Sequence, residues 1–464
     1  MYDPGVSVQF PISRQAAPTE SGSWVKTASA TRKRTRRIDA ILAILIFAIG
    51  FGWYLSGIDS QDYHLDESRW INRAHYLGDL TDPFGPTWNH QYLTRGQPPI
   101  GSYSIGLGLL LQGRDLETNP AYDFRRTHAW NEEYGTLPDH ADLMAGRRWN
   151  AFLGGVSAAV LYLVVRTLTN PVGGVAAAIF FLSNPLEIWY NRIALADTTL
   201  TLTLALLYLA TIHFMRRPRW WLAIAMGILV GLGAGNKFTP MALALPLAGI
   251  GGLIFLRAWW FRLRHRDLQD AMFWRLPRLT HMSWMLMSTP FVALFTFIAS
   301  YPYLWPDPIR RTIYMLEFRQ MEMDNQYILN PRFQTDSPAE SLQMTYDLLG
   351  NTWSSTLQIF QWFNLDHLGD VLSYGDLWLA VAGVLLLTFI GIRKGLRSAE
   401  LMMAALIVFQ LVTIMLSMRV AFERYYLPIM VGEFVAIGCT IGYLVSPLMP
   451  KPRPADLLVA EAVE

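Results

Sequence analysis

Pro98-Pro99-Ile100-Gly101-Ser102-Tyr103-Ser104-Ile105-Gly106-Leu107-Gly108-Leu109-Leu110-Leu111-Gln112-Gly113 is the stretch that decides how this chain is laid out. It is apolar, but it opens with two prolines, is interrupted by glycine and serine, and falls short of the roughly 20 residues that a bilayer-crossing helix needs. Whether it spans fixes the side of a membrane on which every later loop falls.

That a membrane is the setting follows from composition. Of 464 residues, 52% are hydrophobic and only 16% are charged, against roughly 25% charged in soluble domains. Apolar runs of spanning length lie near 38–58, 146–165, 172–190, 195–215, 219–236, 238–256, 283–302, 375–392, 400–418 and 427–447. The expected fold is therefore an all-α polytopic membrane protein with about ten transmembrane helices. The first run, Ile38 to Ile58, is long for a signal-peptide core and has no small-residue cleavage site, so it reads as a retained anchor. The single cysteine, Cys439, excludes an intramolecular disulfide.

Charge settles the role of 98–113. If it does not span, Arg166, Arg216-Arg217-Pro218-Arg219, the loop Arg257–Arg278 and Arg393-Lys394-Gly395-Leu396-Arg397 share the side of the basic N-terminal tail, with its Arg32-Lys33-Arg34 and Arg36-Arg37. If it does span, all the later basic loops fall opposite, against the positive-inside tendency. The segment is thus expected to be an interfacial helix. The domain plan that follows has a cytoplasmic basic tail (1–37), a transmembrane domain (38–448) and a cytoplasmic tail (449–464), with two external loops at 59–145 and 303–374. Basic residues beside a first span need no nucleic-acid partner. The tails 1–31 and 449–464 are rich in Pro, Ala, Glu and Ser and are expected to be disordered. In the second loop, Ile309, Ile313 and Leu316, and then Leu342, Tyr346, Leu349 and Trp353, recur at helical spacing. That pattern predicts amphipathic helices lying on the membrane, as an alternative to a small soluble domain.

With this topology the unusual polar residues gather on one face. Asp66 and Glu67 stand in Tyr63-His64-Leu65-Asp66-Glu67-Ser68-Arg69-Trp70, just beyond the first span. Tyr190, Asn191, Arg192 and Asp197 fall at a turn between spans, Asn236 and Lys237 at the end of another, and Arg419, Glu423, Arg424 and Tyr425 before the last. Singly, each could be an interfacial ion pair or a snorkelling side chain. Together, carboxylates beside Arg and Lys at the edge of an apolar region suit a ligand with a phosphate head and a lipid tail. A carboxylate there could deprotonate an acceptor hydroxyl. His64, His75, His128 and His140 show no metal-ligand spacing, and Gly231-Leu232-Gly233-Ala234-Gly235 suits close helix packing better than a phosphate loop.

These pieces, in this order, resemble the GT-C superfamily of membrane glycosyltransferases. The likeness is to the protein O-mannosyltransferase and lipid A aminoarabinose transferase group, glycosyltransferase family 39 and its relatives. Leu65-Asp66-Glu67, Gln97-Pro98-Pro99-Ile100, Gly146-Arg147-Arg148, Arg192 to Asp197, Gly231 to Lys237 and Glu423-Arg424-Tyr425-Tyr426-Leu427-Pro428 carry the resemblance, and Tyr301 to Pro308 adds to it. The loop 303–374 is too short for the sugar-binding-like domain that the eukaryotic O-mannosyltransferases carry there, and three further features depart from the resemblance. Gln97 stands where the family has His or Lys, Asn236 where it often has Thr, and 114–141 has no counterpart.

The resemblance implies an inverting glycosyltransferase that moves a sugar from a polyprenyl-phosphate donor to an acceptor hydroxyl on the external side of a cell membrane. Its acceptor could be a protein, a lipid or a glycan. Asp66 would be the general base, Glu67 would orient the acceptor or the base, and Asp197 would be a supporting carboxylate. Arg192, Lys237 and Arg424 would bind the donor phosphate. No cofactor and no metal is expected. A transporter or flippase of lipid-linked sugars, or a non-catalytic assembly subunit, are the rival classes.

Overall fold

The computed structural model describes residues 21–89, 92–264, 276–368 and 372–448. The expected tail 449–464, most of the expected tail 1–31 and part of the basic loop after Arg264 lie outside them. Two compact units are distinguished: one formed by residues 1–42 and 448–464, the other by Ala43–Pro447. Of the first, the described portion is chiefly the opening of helix α1 (Ser21–Leu55), which starts inside the stretch expected to be disordered.

Among the described residues the chain is all helical, save for one isolated bridge between Gln334 and Val420. After α1 come α2 (Leu65–Asn72), α3 (Tyr92–Gly96), α4 (Ile100–Leu111), α5 (His128–Glu133), α6 (His140–Leu168), α7 (Pro171–Ser183) and α8 (Pro185–Tyr190). Then follow α9 (Asp197–Arg216), α10 (Trp220–Ala234), α11 (Ala244–Arg264), α12 (Leu276–Met287), α13 (Thr289–Ala299), α14 (Pro308–Leu329), α15 (Pro338–Asp347) and α16 (Ser355–Trp362). The last three are α17 (Gly375–Lys394), α18 (Ala399–Ser417) and α19 (Leu427–Val445).

Among the described residues, 8 helical stretches are long and apolar enough to cross a membrane, which makes this a multi-pass membrane protein. Two of the ten expected runs form shorter helices. The run 172–190 breaks after Ser183 because Asn184 turns its side chain to the amides of Leu186 and Glu187 and Pro185 opens α8. The run 219–236 yields only Trp220–Ala234. A third, 283–302, is interrupted between α12 and α13 at Ser288, where Pro290 cannot continue the ladder.

Helix α4 does not traverse the bundle. Its first amide, Ile100 N–H, donates to the Gly235 carbonyl at 2.9 Å, just past the C-terminus of α10. At its other end the Gln112 side-chain Nε2 donates to the Ala145 carbonyl at 2.7 Å, near the start of α6. Both anchors belong to the same end of the bundle, and 12 residues at about 1.5 Å each could not reach the other. Glycine lets α4 lie this close: a Cβ on Gly101 would sit 2.2 Å from Ala196 Cβ, and one on Gly108 would sit 2.3 Å from Trp149.

The bundle is polarised. The starts of α6, α9, α11, α17 and α19 and the ends of α10, α13 and α18 share one end with the loops after α1 and α13. Arg166, Arg216, Arg217, Arg219, Arg264, Arg393 and Lys394 lie at the other helix ends. At the loop-bearing end, Tyr76, Trp88, Tyr301, Tyr303, Leu304 and Met315 form a buried cluster joining both loops. In the second loop, Ile309, Ile313 and Leu316 are exposed on α14, a candidate interfacial surface.

Candidate active site

Asp66 and Glu67 occupy the first turn of α2, but adjacent helical residues point roughly 100° apart. The N-cap is His64, whose Nδ1 accepts from the Asp66 amide at 3.2 Å while Glu67 Oε2 accepts from the His64 amide at 3.0 Å. Glu67 is fully buried and receives a two-pronged ion pair from the equally buried Arg147, at 2.8 Å and 2.7 Å. The Ala194 amide donates to the same carboxylate at 2.8 Å. Arg147 spends its remaining donors on the carbonyls of Ile58, Gln61 and Asp62. Glu67 therefore locks α2 to α6 and to the turn before α9, and it does not line the cavity.

The opposite face of α2 does. Asp66, Arg69 and Trp70, spaced three and four apart, line a cavity of about 520 Å³ together with Gln97, Asp197, Lys237, Arg424 and Tyr425. Asp66 Oδ2 accepts from Arg424 Nη1 at 2.5 Å, both side chains being about one-fifth exposed. Burial pushes the Asp66 carboxyl up, but Arg424, with His64 and Arg69, outweighs it and holds the group below the ordinary carboxylate value. For Arg424 burial acts downward and Asp66, followed by Tyr425 and Asp197, more than compensates, so the guanidinium holds its proton more firmly than usual.

Lys237 forms an ion pair with the buried Asp197, reaches the Arg424 carbonyl at 3.4 Å and lies 5.5 Å from the centre of the Tyr425 ring. Asn236 positions it by donating to the Ala196 carbonyl at 2.9 Å, next to Asp197. The turn that carries Arg424 is held from the second loop: Ala421 N–H donates to the Phe333 carbonyl at 2.7 Å and Thr335 N–H to the Arg419 carbonyl at 3.0 Å. The result is a string of four charges on one cavity wall, the adjacent cations Arg424 and Lys237 flanked by the carboxylates Asp66 and Asp197.

Arg192 stands apart. It packs 5.3 Å over the Trp53 ring and donates to the Trp53 carbonyl at 3.1 Å, against the end of α1 rather than the cavity. Gln97 lines the cavity, but its side-chain oxygen accepts from the buried Arg73 at 2.5 Å. Among the described residues, no three His, Cys, Asp or Glu side chains converge in a metal-binding group.

The sequence reading missed Arg69, Tyr92, Phe124, Arg319 and Glu322, which also line the cavity. Arg69 was signalled by its spacing from Asp66. Phe124 was not, because it comes from the segment 114–141.

Residues 139–300 match the family described as dolichyl-phosphate-mannose-protein mannosyltransferase. That stretch contains Arg147, Asp197 and Lys237; Asp66 and Arg424 lie outside it. No curated protein sequence matches the chain. Among solved structures, ArnT from Cupriavidus metallidurans in the apo state is similar over 91% of this chain and 63% of its own, at 15% identity and a TM-score of 0.44. The same protein bound to undecaprenyl phosphate is similar over 90% of this chain and 63% of its own, at 15% identity and a TM-score of 0.43. The S. cerevisiae protein O-mannosyltransferase Pmt1-Pmt2 complex bound to the sugar donor is similar over 57% of this chain and 34% of its own, at 16% identity and a TM-score of 0.40. The chain thus spans less than two thirds of the length of each of these structures. The resemblance carried by the motifs is matched, over 139–300, by a family of lipid-linked-sugar transferases.

Proposed function

We propose that this protein is an inverting membrane glycosyltransferase that uses a polyprenyl-phosphate sugar as donor. The observation that carries the reading is the convergence of Asp66, Arg424, Lys237 and Asp197 on one cavity at one end of an apolar bundle. Two cations at the mouth of spanning helices suit a phosphate whose lipid tail stays in the bilayer. A carboxylate beside them suits proton abstraction.

In this mechanism the acceptor oxygen attacks the anomeric carbon as the bond from that carbon to the phosphate oxygen breaks. The acceptor proton passes to Asp66, and the polyprenyl phosphate leaves as an anion held by Arg424 and Lys237. One displacement inverts the anomeric centre. Both cations are already paired with carboxylates, so an incoming phosphate competes with Asp66 for Arg424. Once the phosphate takes Arg424, Asp66 loses its strongest stabilising charge and its basicity rises, which arms the base only in the loaded site. Glu67 and Arg147 position α2 without touching substrate. Arg192, away from the cavity, receives no donor role.

The basic residues at the far helix ends support a reading with that end in the cytoplasm and the site outside, by the positive-inside tendency. Lining residues from one end only support a transferase over a carrier whose path would cross both leaflets. Polyprenyl-phosphate binding to the purified protein in lipid tests the assignment. Lys237→Ala should weaken binding at least about 10-fold and Arg192→Ala should leave it within about twofold, since only the former removes a phosphate partner. The reverse order would overturn it.

A further inference from the structure

The cavity has two unlike walls. Lys237, Phe238, Thr239, Ile414, Ser417, Met418 and Pro428 come from the ends of spanning helices, where a lipid-linked donor would enter. The other wall comes from the loops and carries side chains that the donor reading leaves unused. Phe124 is 43% exposed and Tyr92 is 47% exposed. Between them lies Arg69, its guanidinium 4.2 Å from the Phe124 ring centre and 5.9 Å from that of Tyr92. Tyr92 Oη donates to Glu322 at 3.0 Å, and Arg319 stands beside them, its Nη1 donating to the Gly96 carbonyl at 3.4 Å. Among the described residues neither Arg69 nor Arg319 forms a salt bridge, and Arg69 Nε is buried without a hydrogen-bond acceptor.

Phe124 is brought to this wall by the segment 114–141, while Arg69, Tyr92, Arg319 and Glu322 come from α2, α3 and α14. Asn119 Nδ2 donates to Ser68 Oγ at 2.8 Å and to the Thr136 carbonyl at 2.7 Å, and Ser68 Oγ donates to Thr136 as well. Asn72 donates to the Asn119 carbonyl at 2.7 Å, and Arg69 to the Tyr122 carbonyl at 3.4 Å. The segment is stitched along α2, so Phe124 keeps a fixed place relative to Asp66.

We infer that Phe124, Tyr92, Arg69, Arg319 and Glu322 form an acceptor subsite for a saccharide ring, making the acceptor a glycan; this rests on the transferase reading above. An acyl chain would strip water from Arg69, Arg319 and Glu322 without replacing it. A bare phosphate would leave two exposed rings unused and would face Glu322. A pyranose satisfies the whole wall. Its C–H face stacks on an aromatic ring, and its hydroxyls donate to the carboxylate and accept from the guanidiniums.

The test uses full-length protein in detergent on an array of neutral and amino-sugar oligosaccharides, with Ser/Thr-containing peptides alongside and undecaprenyl phosphate binding as the donor control. Wild type should bind at least one class of oligosaccharide. Phe124→Ala should lower that binding at least 10-fold or so, Phe124→Trp should restore it, and donor binding should be equal in all three. No oligosaccharide binding by wild type, or equal binding by Phe124→Ala, overturns the subsite. Peptide binding that is lost in Phe124→Ala also overturns it, in favour of a protein acceptor. Glycan binding without any undecaprenyl phosphate binding would leave the subsite standing and overturn the donor assignment instead.

Discussion

Asp66 is a carboxylate that two opposing influences act upon. Burial alone would raise its pKa, and Arg424, the strongest neighbouring charge, together with His64 and Arg69 more than reverses this. A lowered native value means the pair contributes stability above the ordinary carboxylate range and loses it as pH falls through that lowered value. At neutral pH the base is therefore ionised. In Arg424→Gln, burial would act against weaker opposition and the carboxyl would move upward. The acid limb of the residual pH–rate profile should accordingly shift to higher pH than in wild type. An unmoved limb would separate Arg424 from the ionisation of Asp66.

At the scale of elements, α2 shows what a sequence can reveal and where it stops. The adjacent carboxylates were visible at once, but a helix sends Asp66 to the cavity and Glu67 into the interior. Only the fold brings Arg147 to Glu67 across 80 positions. Removing one member of a buried pair leaves an uncompensated charge, at a cost on the order of 3–5 kcal/mol. Arg147→Ala should lower the thermal midpoint far more than Arg114→Ala, since Arg114 is itself about one-third exposed and divides its charge between the exposed Asp139 and the buried Asp142; similar shifts would contradict the clamp. Lys237, Asp197 and Arg424 stood out because charge at the ends of apolar runs is unusual. Arg192 stood out for the same reason, yet a residue in a turn can face either way, and it faces Trp53. The breaks at Asn184-Pro185 and before Pro290 are written in the sequence, although hydropathy alone passes over them.

For the whole molecule, the paths of α4, α6, α9 and α10 put the basic helix ends opposite the cavity. Charge counting alone had pointed to that arrangement, because it required 98–113 to stay on one side. Cys439 is buried, so single cysteines introduced elsewhere can report sidedness. A membrane-impermeant maleimide should label Glu117→Cys in intact cells, and label Arg217→Cys only after permeabilisation. The opposite pattern would invert the proposed topology and place the site in the cytoplasm. What neither hydropathy nor charge could show is the second wall of the cavity, since Phe124 reaches it only through the contacts that hold 114–141 along α2.

The most direct measurement is donor turnover by purified protein in lipid. A panel of polyprenyl-phosphate sugars would be offered with a membrane extract as acceptor, and wild type compared with Asp66→Asn. The account predicts sugar loss from one donor with wild type and a fall of at least about 100-fold in the variant, with donor binding retained. Equal turnover by both proteins would contradict Asp66 as the base, and intact donor binding with no transfer to any acceptor in the extract would contradict the transferase reading itself.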